Sequence, residues 1–288
     1  MISGKTRICG IIGDPVEHSM SPAMHNAAFA RLVLDYCYVP FRVKPDNLAQ
    51  AVAGIRALNI RGMNITIPHK VAIIPLLDKL DSLAQRIGAV NTIVNDSGVL
   101  SGYNTDAAGF LSALLAAGVE PKGKRVVILG AGGASRAITF ALAERGAHLV
   151  ILNRAQEMDW AIDLARSLSQ AFGREVTALE LNDNNLKKSL PSAAVLVNAT
   201  SVGMSPNTSE TLVPVGWLKP SLVVFDAVYN PIKTRLLADA EQAGATTISG
   251  LEMLVWQGAS AFELWTQAKA PVALMKEEAL RALTGHEK

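Results

Sequence analysis

Apolar and polar positions along the chain repeat one order: a short apolar or alternating run, a turn, then a stripe at helical spacing. In the first hundred residues, strand-like runs at 7–13, 36–43 and 62–67 are separated by helical patterns over 22–34 and 46–58. A helical pattern over 69–77, a short strand pair around 91–94 and 98–101, and a helix over 105–117 follow. Pro121-Lys122-Gly123-Lys124 is a turn-rich break. Beyond it, 125–129 is a continuous apolar run, as expected of a central strand in a parallel sheet. A glycine turn at 130–135 and a helix over 136–145 come next. Strand-like runs recur at 148–152, 176–179, 194–198, 222–226 and 246–248, with helices between most of them. The stretches 251–266 and 271–283 are purely helical. This alternation predicts an α/β fold with parallel sheets and right-handed crossovers.

The 288 residues suit two domains, each with its own core. Half are apolar and 18% are charged, the balance of a well-packed soluble protein. A formal charge of +2 is too small to argue for nucleic acid or an anionic membrane. Cys9 and Cys37 lie in apolar, strand-like surroundings that suit reduced thiols better than a disulfide or a metal site. The apolar run at 8–13 is too short for a signal peptide, and no stretch of about 18 apolar residues could span a membrane. A cytoplasmic enzyme is the expectation.

Two segments carry the chemistry. Asn64-Ile65-Thr66-Ile67-Pro68-His69-Lys70 reads as a strand ended by Pro68, which places Lys70 in the first turn of the predicted 69–77 helix. A cation is disfavoured at that end of the macrodipole, and with partial burial the field would lower its pKa toward that of a general base. Asp106, in Asn104-Thr105-Asp106, is the carboxylate that could hold it. The plainer alternatives are a solvated lysine and a helix N-cap.

Further on, Val126-Val127-Ile128-Leu129 enters Gly130-Ala131-Gly132-Gly133-Ala134-Ser135 and then a helix. The first glycine permits a tight turn, and the second lets backbone N–H groups approach a pyrophosphate at the helix N-terminus. Ser135 stands where Gly or Ala is usual. At the end of the second strand, where NAD enzymes place Asp or Glu for the ribose, this chain has Asn153 and Arg154. A guanidinium there suits a 2′-phosphate and points to NADP. Glu157 keeps NAD open as the weaker cofactor.

With these residues in place, the chain resembles the shikimate dehydrogenases from end to end. The matching strings are Ser19-Met20-Ser21-Pro22, the Asn64 to Lys70 segment, Gly88-Ala89-Val90-Asn91-Thr92, Gly102-Tyr103-Asn104-Thr105-Asp106, the glycine turn, Asn198-Ala199-Thr200-Ser201-Val202-Gly203-Met204, 226–231 and 250–258. The resemblance implies a discontinuous α/β substrate domain, 1–105 with 251–288, and an inserted Rossmann-type dinucleotide domain, 106–250. This two-domain layout predicts a cleft that narrows when cofactor binds, by hinge residues near Asp106 and Gly250, and a homodimer is left open.

By the same resemblance, Lys70 and Asp106 match the catalytic pair. Ser19 and Ser21 match serines on the substrate carboxylate, and Thr66, Asn91, Tyr229 and Gln257 match positions around the carboxylate and hydroxyls. Neutral donors of this kind bind a hydroxylated carboxylate without the cost of burying many charges. Thr200, Ser201, Ala227, Gly250 and Met253 match the cofactor side, with Thr200 and Ser201 toward the nicotinamide. Each has a structural alternative: Ser21 before Pro22 suits an N-cap, Asn91 a turn, Gln257 a solvent-facing helix position, Tyr229 loop packing.

The chain departs from the family at Ser82, where an acidic residue is frequent. Ala155 and Met158 stand where NADP-preferring members add a threonine and a second base, leaving Arg154 a single clamp. His18, His25 and His69 have no metal-binding spacing. The expected activity is reversible reduction of 3-dehydroshikimate to shikimate. A quinate enzyme and a non-catalytic sensor are the alternatives, and an intact Lys70 and Asp106 speak against the sensor.

Overall fold

The computed structural model describes residues 2–285. They form two compact units. One gathers the residues through Gly109 with those from Val255 on, and the other is Phe110–Leu254.

The first unit opens with β1 (Arg7–Gly13), α1 (Ser21–Arg31), β2 (Tyr36–Arg42), α2 (Leu48–Ala57) and β3 (Gly62–Ile65). It continues through β4 (Lys79–Leu80), α3 (Ser82–Ile87), β5 (Thr92–Asp96), β6 (Val99–Tyr103) and the start of α4 (Asp106–Ala116). Its six strands lie in the order β2-β1-β3-β5-β6-β4. β1 runs parallel to β2 and β3, whereas β5 is antiparallel to both β3 and β6. The β5–β6 hairpin turns at Ser97 and Gly98, both at positive φ (54° and 92°), the twist a two-residue hairpin requires. α2, the centre of the sheet and the 73–77 stretch share one apolar core that includes Val52, Ile55, Met63, Ile65, Ile73 and Ile93.

No α-helix forms over 69–77, against the sequence expectation. Turns follow Pro68, and only Ile74–Leu76 closes into a single 3₁₀ turn. Pro75 has no N–H to give to residue 71 and its ring crowds that carbonyl, while Val71, Ile73 and Ile74 are β-branched and stiff. Lys70 is therefore under no helix macrodipole. α3 lies outside the predicted elements, although its ends carry cap signals: Asp81 Oδ2 accepts from Leu83 N at 2.9 Å, and Gly88 closes the helix at φ 68°.

The second unit holds β7 (Arg125–Leu129), α5 (Gly133–Glu144), β8 (His148–Asn153), α6 (Met158–Phe172), β9 (Thr177–Glu180) and α7 (Asp183–Ser189). β10 (Val195–Asn198), β11 (Val223–Asp226), α8 (Arg235–Gln242) and β12 (Thr246–Ser249) complete it. All its strands are parallel, in the order β12-β11-β10-β7-β8-β9. This is the doubly wound order in which ligands sit beyond the strand ends where the winding reverses, here between β7 and β10. Every residue of β10 is buried, as are all but the first of β7, so these strands read as unbroken apolar runs.

α9 (Gly250–Thr266) and α10 (Val272–Gly285) are the last elements among the described residues, and α10 packs on α1. Gly62 gives way to the Trp265 indole, whose Nε1 donates to Ile93 O at 2.9 Å: a Cβ on Gly62 would lie 2.0 Å from that nitrogen. The crossings between units fall inside α4 and α9, four residues past the expected 105 and 250, because each helix carries the chain onward without a break.

Candidate active site

Two turns of chain in the first unit bring the expected pair together. Lys70 Nζ donates to Asp106 Oδ2 at 2.5 Å, and the two side chains are 13% and 6% exposed. Lys70 is held at its backbone, where its carbonyl accepts from Val90 N at 2.8 Å. Asp106 opens α4, where free N–H groups favour a carboxylate. Asn104 Oδ1 takes two of those donors, the N–H of Asp106 at 3.1 Å and of Ala107 at 3.3 Å. Asp106 is thus free of the capping role and turns its oxygens to other partners.

Asn91 is the hub. Its Nδ2 donates to Asp106 Oδ1 at 2.8 Å and Thr105 Oγ1 at 2.9 Å, with Gln257 Oε1 at 3.3 Å. Its Oδ1 accepts from Thr105 N at 2.8 Å and Thr92 Oγ1 at 3.0 Å. Asn91 therefore does far more than fix a turn, and Gln257, only 8% exposed, does not face solvent. A buried network satisfied at this level holds its members in one geometry. Thr92, Asn104 and Thr105 join it, and nothing in the apolar pattern marks them. They do lie inside the same short strings as Asn91 and Asp106.

Ser19 and Ser21 precede and open α1. Ser21 is its first residue, not its N-cap, and Pro22 is second; the cap position is Met20, which makes no side-chain cap bond. Ser19 supplies the capping oxygen, accepting from Ser21 N at 3.3 Å. The chain turns one residue earlier than the Ser-Pro pattern implies, which leaves the Ser21 hydroxyl out of the cap. Thr66 follows β3, and its methyl occupies the space that Gly13 leaves: a Cβ there would lie 2.2 Å from Thr66 Cγ2. His69 Nε2 meets Val43 O at 2.6 Å, while His18 and His25 join no metal cluster among the described residues. Tyr229 follows β11 in the second unit.

In the second unit, Gly130 turns at φ +100°, and a Cβ on it would lie 2.9 Å from Thr200 Cγ2 and 3.2 Å from Ala199 O. Only glycine fits there. A Cβ on Gly132 would meet nothing within 4 Å, so the backbone before α5 is open to a ligand. Gly133 and Ala134 form the first turn of α5. Ser135 is fully buried and donates to Gly130 O at 2.7 Å, so the unusual third residue closes the turn instead of loosening it.

Asn198 Oδ1 accepts from Thr200 Oγ1 at 2.7 Å, and its Nδ2 donates to Asp226 Oδ1 at 2.9 Å. That places Thr200 at the end of β10 against Gly130, with Ser201 next in the chain. Asp226 has no exposed surface, and burial raises its pKa to about 6 against donors from Thr234, Val228 and Asn198. Gly250 abuts the backbone of Ala227, whose oxygen would lie 2.4 Å from a Cβ, and Met253 is buried one turn on. Asn153 Nδ2 donates to Glu157 O at 2.7 Å. Arg154, 65% exposed, is ion-paired with Glu157, the residue that keeps NAD open. These residues fit a dinucleotide: open backbone at a helix start, a glycine that a Cβ would displace, and a cation after the second strand.

Cys9 and Cys37 are free thiols, and burial pushes the Cys9 pKa up. Among the described residues no helix is long and apolar enough to cross a membrane.

The model of the shikimate dehydrogenase substrate binding domain matches residues 11–93. That of shikimate / quinate 5-dehydrogenase matches 114–219, and that of the shikimate 5′-dehydrogenase C-terminal domain matches 250–280. The chain is 50% identical over 279 residues to a shikimate dehydrogenase (NADP(+)) of Dehalococcoides mccartyi, covering 97% of each chain. It superposes on the shikimate 5-dehydrogenase of Listeria monocytogenes in complex with shikimate and NAD, with a TM-score of 0.87 and 44% identity over 96% of this chain and 97% of that one. A shikimate dehydrogenase in complex with NADP+ gives a TM-score of 0.91 at 43% identity, covering 98% of both.

Proposed function

The chain belongs to the shikimate dehydrogenase family, and from that premise we propose that it catalyses the reversible NADP-dependent reduction of 3-dehydroshikimate to shikimate in the cytoplasm. The observation that carries this reading is the buried Lys70–Asp106–Asn91 network. A binding protein for the same acid needs donors, whereas this site holds an amine against a carboxylate that is itself fixed from behind.

NADP, when bound, supplies or takes up the hydride. Lys70 Nζ gives a proton to the substrate oxygen in reduction and receives it in oxidation. Asp106 Oδ2 aims Nζ and shares the substrate hydroxyl. Asn91, through Oδ1 of Asp106, keeps that carboxylate from rotating. Ser19, Ser21 and Thr66 hold the carboxylate of the substrate by neutral donors, Gln257 and Asn91 its ring hydroxyls, and Tyr229 closes the set. The glycine turn takes the pyrophosphate, and Asn153 and Arg154 take the adenosine ribose with its phosphate.

The direct test is absorbance at the reduced-nicotinamide band on mixing the protein with shikimate or quinate and with NADP+ or NAD+. Shikimate with NADP+ should give the largest kcat/KM of the four combinations. A protein silent with all four would refute the enzymatic reading.

A further inference from the structure

The Arg154–Glu157 ion pair leaves the guanidinium at the end of β8 half neutralised, and Ala155 and Met158 add no charge. A second cation of the same unit lacks such a partner. Arg136 is the fourth residue of α5, and it is half-buried. Its guanidinium makes no hydrogen bond or ion pair among the described residues. Burial pushes its pKa down, and only the field of Asp163 on α6 offsets this. Asp163 is itself paired with Arg166 at 3.0 Å. A cation taken partly out of water without a counter-charge is costly to keep unless a ligand supplies one.

Its position says which ligand. Gly130 N donates to Leu152 O at 2.8 Å, seating the glycine turn against the end of β8, two residues before Arg154. Ser135 points inward onto Gly130 O, so Arg136 lies on the next face of α5. That face is the one toward α6, since α5 packs on both α6 and β8 and Arg136 senses Asp163. The loop from Arg154 to Glu157 leads into α6 on that side. A pyrophosphate is already served by the free N–H groups at the start of α5.

We propose that Arg136 is the second cation for the adenosine 2′-phosphate of NADP, sharing with Arg154 the choice of NADP over NAD. This rests on the NADP reading given above. It replaces the sequence expectation of Arg154 as a single clamp.

The test is calorimetric titration of the full chain, without substrate, with NADP+, NAD+ and adenosine 2′,5′-bisphosphate. Arg136→Met keeps the apolar stem that the half-buried position packs, Arg136→Gln is the second truncation should Met disturb α5, and Arg136→Lys keeps a charge. The truncation should raise Kd for NADP+ and for the bisphosphate by about tenfold to a hundredfold, the worth of one charge-assisted contact. Kd for NAD+ should move by less than about twofold, Arg136→Lys should recover most of the loss, and the ligand-free Tm should hold. Equal losses for NADP+ and NAD+ would assign Arg136 to the pyrophosphate and overturn the inference alone, as would an unchanged Kd for NADP+. A wild type that binds NADP+ no better than NAD+ overturns the NADP reading and this inference with it.

Discussion

In the first unit Asn91, Thr105, Asp106 and Gln257 are buried and hold one another by side-chain bonds, with Lys70 on their edge. In the second unit the candidate dinucleotide site is mostly backbone: the glycine turn is open, and Arg154 is largely exposed. The first arrangement is sensitive to polar atoms removed, the second to carbon atoms added. The two units also differ in what acid does to them. His25, in the first unit, is fully buried among Phe29, Tyr38, Phe262 and Trp265, with both ring nitrogens unpartnered, and burial lowers its pKa to about 3. Asp226, in the second, is raised to about 6.

The largest effect should come from the side-chain site. Lys70→Ala should lower kcat by about two to four orders of magnitude, the worth of a positioned acid–base group, with KM for shikimate nearly unchanged. Steady-state kinetics at neutral pH check it, and a variant with wild-type kcat would remove Lys70 from the proton transfer.

Acid should separate the units next. Folded His25 stays neutral, while the unfolded side chain takes a proton below its ordinary value of 6.5, so stability from this group falls as pH drops from 6.5 toward about 3. At pH 4 that amounts to about 3 kcal/mol. Folded Asp226 binds its proton near 6, whereas the unfolded carboxyl waits until 3.8, so acidification over that window favours the second unit. Unfolding curves of wild type and His25→Phe between pH 7 and pH 4 should diverge as the wild type weakens. Parallel curves would show that His25 is charged or hydrated in the folded protein.

Smaller again is the added carbon. Gly130→Ala puts a Cβ against Thr200 at positive φ, a strain of about 1–3 kcal/mol. It should lower Tm and weaken dinucleotide binding, yet leave shikimate binding to the first unit intact. Equal weakening of both ligands would break the division drawn between the units. Arg154→Ala should have the least effect, because Glu157 already engages that guanidinium. KM for NADP should rise by about threefold to tenfold, and that for NAD should scarcely move. A hundredfold rise would mean that Glu157 releases Arg154 completely on binding.

Local order was legible where apolar runs are bounded cleanly: β1 and β7 begin and end where the pattern places them. It failed at 69–77, where the spacing is helical but Pro75 denies the hydrogen bonds that the spacing needs. Lys70 and Asp106 are 36 residues apart, and no periodicity encodes a contact at that range. The strand ended by Pro68 and the carboxylate of the Asn104-Thr105-Asp106 segment brought the two residues to notice, and the hairpin and the Asn91 hub bring them together. Ser135 read as a departure until its hydroxyl met Gly130 O. Arg136 carried no signal at all, since an unpaired guanidinium is recognisable only once its surroundings are known.

The pairing of Lys70 with Asp106 is tested most directly by a double-mutant cycle on kcat/KM for shikimate with NADP+, using Lys70→Ala, Asp106→Asn and the double variant. Two groups that hold one another 2.5 Å apart and move one proton should fail as a unit. The double variant should then lose no more than about tenfold beyond the worse single one. Losses that multiply in full would show that the two residues act separately and would contradict the mechanism.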